Sequence, residues 1–229
     1  MAYYGLRKPF IASYNKETGV YSNGFACGKA VSMNITPNYV EGSLYADDEQ
    51  AEYEKAFQNA TVQMGTDTLP IAAASVMYGH DTDAETGEVV YKTTDEPNNV
   101  GVGFVITEVV QGVRSFIAVI LTCAKFSEGA ESFATKGDSI TFATPTQEGL
   151  AIGDKNGEWR RKEVFSDANA AVVFIKNYLS IAVTYTPVTP AQGDNPKAKG
   201  WYEKVGSSDE YQLTTDETVQ NGKTYYTAS

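Results

Sequence analysis

Apolar side chains follow one another almost without a break over residues 115–124, which read SFIAVILTCA. Branched and aromatic side chains dominate this run, which predicts a strand buried on both faces. Two shorter strands are predicted after it, at residues 131–135 and 139–144, with the turn signal Lys136-Gly137-Asp138 between them. The whole stretch is typical of the wall of a β structure, and it supplies no catalytic group.

Strand patterns also occur on both sides of this run. Gly101 and Gly103 lie inside one of them and predict a bulge or the close approach of another chain segment. Asn156-Gly157 predicts a hairpin turn between residues 150–153 and 159–161. Further strands are predicted at residues 29–36, ending at Pro37, at residues 54–65 and at residues 100–110.

Two helices are predicted. A short helix over residues 69–78 would have Asp67 as its N-cap, Pro70 in its first turn and Gly79 just past its end. A second helix follows Ser166 or Asp167 and has a wide apolar face, which would cover one side of the sheet. That face comprises Ala171, Val172, Phe174, Ile175, Tyr178 and Leu179.

Residues 38–52 form a long polar segment that carries four large apolar side chains. A loop of this length is uncommon in a compact domain unless it has a function. We therefore hypothesise that the segment contacts a neighbouring subunit. The candidate contact residues are Tyr39, Val40, Leu44, Tyr45, Asp47 and Asp48.

The composition changes near residue 184, where prolines become frequent. Residues 184–196 are predicted to be an extended linker, and residues 197–229 a small β module with an Asn221-Gly222 turn. The predicted fold is therefore mainly β. It consists of a sandwich or barrel with one flanking helix over residues 1–183 and a small C-terminal β appendage.

Composition narrows the function. The formal net charge is -11, from 29 acidic and 18 basic residues, which argues against a surface that grips nucleic acid phosphates. The two cysteines, Cys27 and Cys123, are expected to be buried and reduced, since two thiols alone cannot form a metal site. The first residues lack the features of a signal peptide, and no apolar run is long enough to span a bilayer, so we expect synthesis in the cytoplasm.

Candidate chemistry is sparse. His80 is the only histidine, and a packed polar role is favoured over a triad or zinc site. The loop that begins at Asp81 places Thr86 and Lys92 where a calcium loop needs glycine and glutamate, so a solvated loop is favoured. Neither a catalytic, a cofactor nor a metal site is predicted. The remaining groups are the carboxylates Asp47, Asp48, Glu49, Glu52 and Glu54, and the basic residues Lys155, Arg160, Arg161 and Lys162.

Several short motifs, in one order over roughly residues 1–179, resemble the major tail protein of long-tailed bacteriophages. No single motif is specific, but their joint order is. The motifs after the apolar run are Lys125-Phe126-Ser127-Glu128, Glu131-Ser132, Thr135-Lys136-Gly137-Asp138-Ser139-Ile140 and Thr144-Pro145-Thr146-Gln147-Glu148-Gly149. Those before it are Gly28-Lys29-Ala30-Val31, Thr36-Pro37-Asn38-Tyr39, Leu44-Tyr45-Ala46-Asp47-Asp48, Gly65-Thr66-Asp67 and Tyr78-Gly79-His80.

The resemblance implies a structural role in the virion tail. Such a protein stacks as hexameric rings into a non-contractile tail tube, and DNA passes through the lumen without specific binding. The implied partners are other copies of the chain, the tape measure protein and tail completion proteins, with no enzymatic activity and no membrane. Residues 1–23 and 38–52 are the candidate stacking elements. A related tube, contractile or secretory, is the alternative within assembly. The alternative from another class is a carbohydrate-binding or hydrolytic β-sandwich that uses carboxylates with Trp159 or Trp201.

Overall fold

The computed structural model describes residues 2–129, 144–191, 193–206 and 210–229. The fold is mainly β, with 53% of residues in strands and 9% in helices. The predicted strands at 131–135 and 139–144 lie almost wholly outside the described residues, and Thr144 itself is not in a strand. The larger sheet contains eight strands: β1 (Ala2–Asn15), β2 (Val20–Ala26), β3 (Ala30–Ala46), β4 (Glu49–Thr66), β7 (Val100–Val110), β8 (Val113–Ser127), β9 (Thr146–Ile152) and β10 (Arg160–Phe165).

The remaining elements are short. Helix α1 (Ile71–Tyr78) and the two-residue strands β5 (Asp81–Thr82) and β6 (Val89–Val90) follow β4, and helix α2 (Ala168–Tyr178) follows β10. A separate C-terminal sheet has the order β11-β14-β12-β13. Its strands are β11 (Tyr185–Val188), β12 (Tyr202–Lys204), β13 (Tyr211–Leu213) and β14 (Tyr225–Ala228).

Strand β8 organises the large sheet, as its apolar sequence predicts. The strand order is β2-β1-β7-β8-β9-β4-β3, and every pair is antiparallel. One edge of β8 pairs with β7, whereas the other pairs with β10 over residues 116–121 and with β9 over residues 123–127. The sheet therefore divides at this edge of β8, where β10 pairs with one half and β9 with the other. Strands β9, β4 and β3 continue the sheet from their half and pack face to face on β1, β7 and β8.

Side chains of β8 alternate between two apolar cores. Leu121 and its same-face neighbours meet Val62 and Met64 of β4 and the inner side of α1, whereas Ile120 and its same-face neighbours lie under α2. The prediction that this strand is buried on both faces is confirmed. Both cysteines are fully buried free thiols, also as predicted.

Helix α2 lies unusually close to β7, and glycines make this possible. A Cβ added at Gly103 would come within 2.2 Å of Ile175 Cγ2, and one at Gly101 within 2.7 Å of Leu179 Cδ2. The register of β7 against β8 also shifts between Val100 and Val102. The predicted bulge and the predicted close approach are thus both present.

The helix termini match the sequence in part. Asp167 caps α2 by accepting a hydrogen bond from the Ala170 N–H at 2.8 Å, as one of the two predicted caps. Asp67, however, does not cap α1, which begins after Pro70 without a side-chain cap; its carboxylate accepts from the Lys29 N–H instead. Phe174 is only half-buried beside Phe165, because Ile175 and Leu179 occupy the positions that point straight into the core.

Two predicted connections are wrong. Strand β3 does not stop at Pro37, because it is the outermost strand and its free side needs no donor from that residue. The Asn156-Gly157 turn does not join a hairpin, because β9 and β10 each pair with β8. The candidate stacking segment at residues 1–23 lies in the β1–β2 hairpin, which residues 2–26 form at one edge of the sheet.

The C-terminal module is confirmed as a small sheet, but the linker prediction is wrong for residues 185–188. These residues form β11, which pairs with β14. The module packs on the outer side of α2 through Val173, Tyr202 and Ala228, and Asn169 donates a hydrogen bond to the Ala228 carbonyl at 2.5 Å. Helix α2 is therefore covered on both sides.

Candidate assembly surface

Residues 38–52 are not a loop. They belong to a long antiparallel hairpin made by β3 and β4, which is paired without interruption from Ala30↔Thr66 to Ala46↔Glu49 apart from three register shifts. Asp47 and Asp48 form the two-residue turn with φ values of 52° and 63°. Positive φ at both positions is the geometry that matches the twist of a hairpin. Pairing replaces the loop because alternate residues of each strand bond their N–H and C=O groups across the hairpin, while the remaining groups face water.

The distal part of this hairpin, residues 39–57, is called the arm here. At its base the Asn38 side chain donates to Asn59 Oδ1 at 2.8 Å. Beyond that point, every arm side chain that the structure describes is exposed except Phe57, which is half-buried. The arm thus extends from the body with both faces open to solvent.

The structure brings the predicted contact residues together on this arm. Tyr39 and Tyr45 lie on one face, at 47% and 68% exposure, and Val40 and Leu44 lie on the other, at 54% and 57%. Asp47 and Asp48 are at the tip. Large apolar side chains this exposed, on an element with no core of its own, are typical of a surface that binds another protein.

A chain of ring and charge contacts stiffens one face of the arm. Trp159 stacks on Phe57 at 4.7 Å between ring centroids, and Phe57 meets Tyr39 edge-on at 6.1 Å. Lys55 lies over the Tyr39 ring and forms an ion pair with Glu41. Lys55, together with a hydrogen bond from Tyr53, holds the pKa of Glu41 below its usual range.

Sequence reasoning missed Tyr53, which is 54% exposed on the same face as Tyr39. Its signal was the alternation Tyr53-Glu54-Lys55-Ala56-Phe57, which continues the pattern of a strand and not of a loop. The edges were missed as well. In the described part of the larger sheet, β2, β3 and β10 each pair on one side only, so each leaves a strand edge open.

His80 and two carboxylates of the acidic loop are engaged within the protein. Asp83 accepts from the Glu85 N–H at 2.8 Å, and Asp81 pairs with Lys92, so these two carboxylates face their own chain. In the described ranges, no group of three or more His, Cys, Asp or Glu side chains is arranged to hold a metal. His80 is packed between Asp95 and Glu128.

Polar side chains that line a surface cleft near β2 also form hydrogen bonds within the protein. It measures about 440 Å³ and is lined by Tyr14, Tyr21 and Lys155, among others. The Tyr21 hydroxyl donates to the Thr122 carbonyl at 2.9 Å, and Lys155 Nζ donates to the Thr18 carbonyl at 2.9 Å. The polar groups at this cleft are thus used to hold the fold.

Neither tryptophan presents an open ring. Phe57 and Arg160 both pack on the Trp159 ring, and Trp201 is only 6% exposed. Neither helix in the described parts of the chain is long and apolar enough to cross a membrane. No protein-family model matches the chain, and a search of curated proteins also gives no match.

Proposed function

We propose that this chain is a structural protein that assembles with copies of itself into stacked hexameric rings, forming the tail tube of a long-tailed, non-contractile bacteriophage. The arm is the observation that carries the proposal. A two-stranded hairpin without a core is marginally stable in water, so an arm of this length with apolar side chains on both faces needs a partner. The open edges of β2, β3 and β10 offer further sites for joining copies.

The negative net charge favours a conduit through which DNA passes and disfavours a surface that binds DNA. Each copy carries a formal charge of -11, and a tube built from such copies repels the phosphate backbone. Weak, sliding contact is what transport through a lumen requires. The role is therefore assembly, with the tape measure protein and tail completion proteins as further partners in the virion tail.

Electron microscopy of the purified protein tests the proposal. We expect rings or tubes for the natural chain over a range of concentrations. In a matched variant, Asn-Gly replaces residues 39–58, so that a two-residue turn joins the paired residues Asn38 and Asn59. This variant should fold, with an unchanged urea midpoint, and remain a monomer.

The natural chain and the armless variant test two different claims. A natural chain that stays monomeric at high concentration would contradict the assembly proposal as a whole. Tubes formed by the armless variant would leave assembly standing but would remove the arm as its cause.

A further inference from the structure

The inner face of the sheet continues beyond the core as an exposed strip. On β8, Ile117 and Val119 point into the core, and alternation puts Val113 on the same face. Residues directly across from one another share a face, so the pairing registers assign the neighbouring positions. We call this surface the basic strip: Tyr3, Val110, Val113, Arg160, Lys162 and Val164.

The apolar members of the basic strip are well exposed. Tyr3 is 57% exposed, Val113 67% and Val164 62%. They come from β1, β8 and β10, so they form one surface only in the folded sheet. The opposing strands β3 and β4 cover the inner face only near the core, where Met33 and Ile35 pack on it.

Two cations on this surface form no ion pair with any residue that the structure describes. Arg160 lies over the Trp159 ring at 4.4 Å, and Lys162 Nζ lies 6.0 Å from the centre of the Tyr3 ring. Within the described part of the chain, neither side chain forms an ion pair, whereas their neighbour Arg161 pairs with Glu158. Burial and the charge of Arg160 lower the pKa of Lys162, and the opposing charge of Glu108 on the same face does not outweigh them.

The arm has the complementary chemistry. Residues 39–57 contain six carboxylates and one lysine, and that lysine is already paired with Glu41. The registers Leu44↔Glu52 and Gly42↔Glu54 put two of the carboxylates on the face that carries Val40 and Leu44. This face therefore combines exposed apolar side chains with negative charge, whereas the basic strip combines them with positive charge.

We propose that the arm of one copy binds the basic strip of a second copy, with its Val40, Leu44, Glu52 and Glu54 face against the strip. The inference rests on the proposed assembly function and names the surface that receives the arm. Both surfaces are exposed in the same copy, so the contact joins two copies. Because two different surfaces meet, the contact is head-to-tail, and repetition of such a contact yields a closed ring or a filament.

Charge reversal tests this pairing. The strip variant Arg160→Glu with Lys162→Glu and the arm variant Glu52→Lys with Glu54→Lys should each need at least tenfold more protein to assemble. All four changes in one chain should restore most of the assembly, because the charges are again opposite. The control Lys16→Glu with Lys197→Glu changes the formal charge as the strip variant does, on exposed residues elsewhere, and should assemble normally.

Mixing the two variants gives a sharper result. In the mixture, the intact arm of the strip variant binds the intact strip of the arm variant, and the two charge-reversed surfaces bind each other because their charges are again opposite. Sedimentation velocity should therefore show assemblies in the mixture and monomers in each variant alone. Strip variants that assemble as well as the control, or a mixture that stays monomeric, would refute the arm-to-strip contact while natural-chain tubes still upheld the assembly function. A natural chain that never assembles would overturn both.

Discussion

The β3–β4 and β7–β8 hairpins are built alike and buried differently. Each turns through two residues with positive φ, Asp47-Asp48 in the first and Gln111-Gly112 in the second. The second hairpin has apolar side chains at consecutive positions, and its middle is buried on both faces. The arm alternates apolar with charged side chains on each face and is buried on neither.

This contrast separates what shapes a hairpin from what stabilises it. Turn geometry and backbone pairing are the same in both, so they determine the shape. Free energy comes mainly from apolar surface removed from water, which β7 and β8 obtain from α2 and from the opposing strands, and which the arm lacks in a single copy. We therefore expect the arm to contribute to the stability of an assembly and not to that of the monomer.

Truncation of one large side chain in each hairpin gives the largest expected difference. Ile120→Ala removes a fully buried side chain under α2 and should lower the free energy of unfolding by about 2–5 kcal/mol. Leu44→Ala removes one that is 57% exposed and should change it by less than about 0.5 kcal/mol. Urea unfolding of the monomer measures both. Similar costs at the two sites would mean that the arm folds against the body.

A methyl group added to each hairpin sharpens the comparison. Gly103→Ala places a Cβ within 2.2 Å of Ile175, which is fully buried and has no room to move, so α2 must shift. We expect a loss of about 1–3 kcal/mol. Gly42→Ala in the arm is the matched control, since an added Cβ there meets no atom within 4 Å. It should be neutral or slightly stabilising, and an equal loss at both sites would contradict the difference in packing.

The same contrast explains which elements could be predicted. The buried strand at 115–124, the Asp167 cap and the close approach at Gly103 depend on residues that are neighbours in sequence or on one unusual residue type. Residues 38–52, which supply most of the arm, were predicted as a loop because neither face of the arm is uniformly apolar, and its turn is Asp-Asp, without the glycine that usually marks a two-residue hairpin.

The basic strip and the order of the strands could not be predicted from local pattern. Tyr3, Val113 and Val164 lie far apart in the chain and meet only because β7 and β10 pair with opposite edges of β8. The Asn156-Gly157 turn was predicted correctly as a turn, but which strands pair around it depends on competition for the edge of β8. Long-range pairing of this kind leaves no periodic signal in the sequence.

Charged contacts hold the C-terminal end of β8, whereas burial of apolar side chains holds its middle. His80 Nδ1 lies 2.6 Å from Asp95 Oδ2, and its Nε2 lies 2.9 Å from Glu128 Oε1, just after the end of β8. An ionised carboxylate only accepts hydrogen bonds, and a neutral imidazole has one N–H, so both contacts together require the imidazolium. The ring is 8% exposed, between Tyr91 at 4.6 Å and Tyr78 at 5.8 Å.

These contacts predict that the stability of the monomer depends on pH. This is the smallest of the expected effects. Burial alone lowers the pKa of His80, but the hydrogen bonds to Asp95 and Glu128 outweigh it and raise the pKa above 6.5. The contribution of His80 to stability is therefore complete below pH 6.5 and is lost as pH rises through the raised folded value. The Lys92 N–H and His80 lower the pKa of Asp95 below 3.8, so its contribution is present above that pH and is lost only as pH falls through the lowered value.

Urea midpoints of the monomer between pH 5 and pH 9 test the effect of His80. The natural chain should lose stability as pH rises above 6.5, with a midpoint shift smaller than that caused by Gly103→Ala. His80→Gln should flatten this slope, because glutamine stays neutral over the whole range and cannot gain the second charged contact. Glu128→Gln should reduce the slope by less, since Asp95 remains as a partner and keeps part of the shift. A His80→Gln profile that runs parallel to that of the natural chain would show that another group causes the dependence, and the end of β8 would then be held by packing in the same way as its middle.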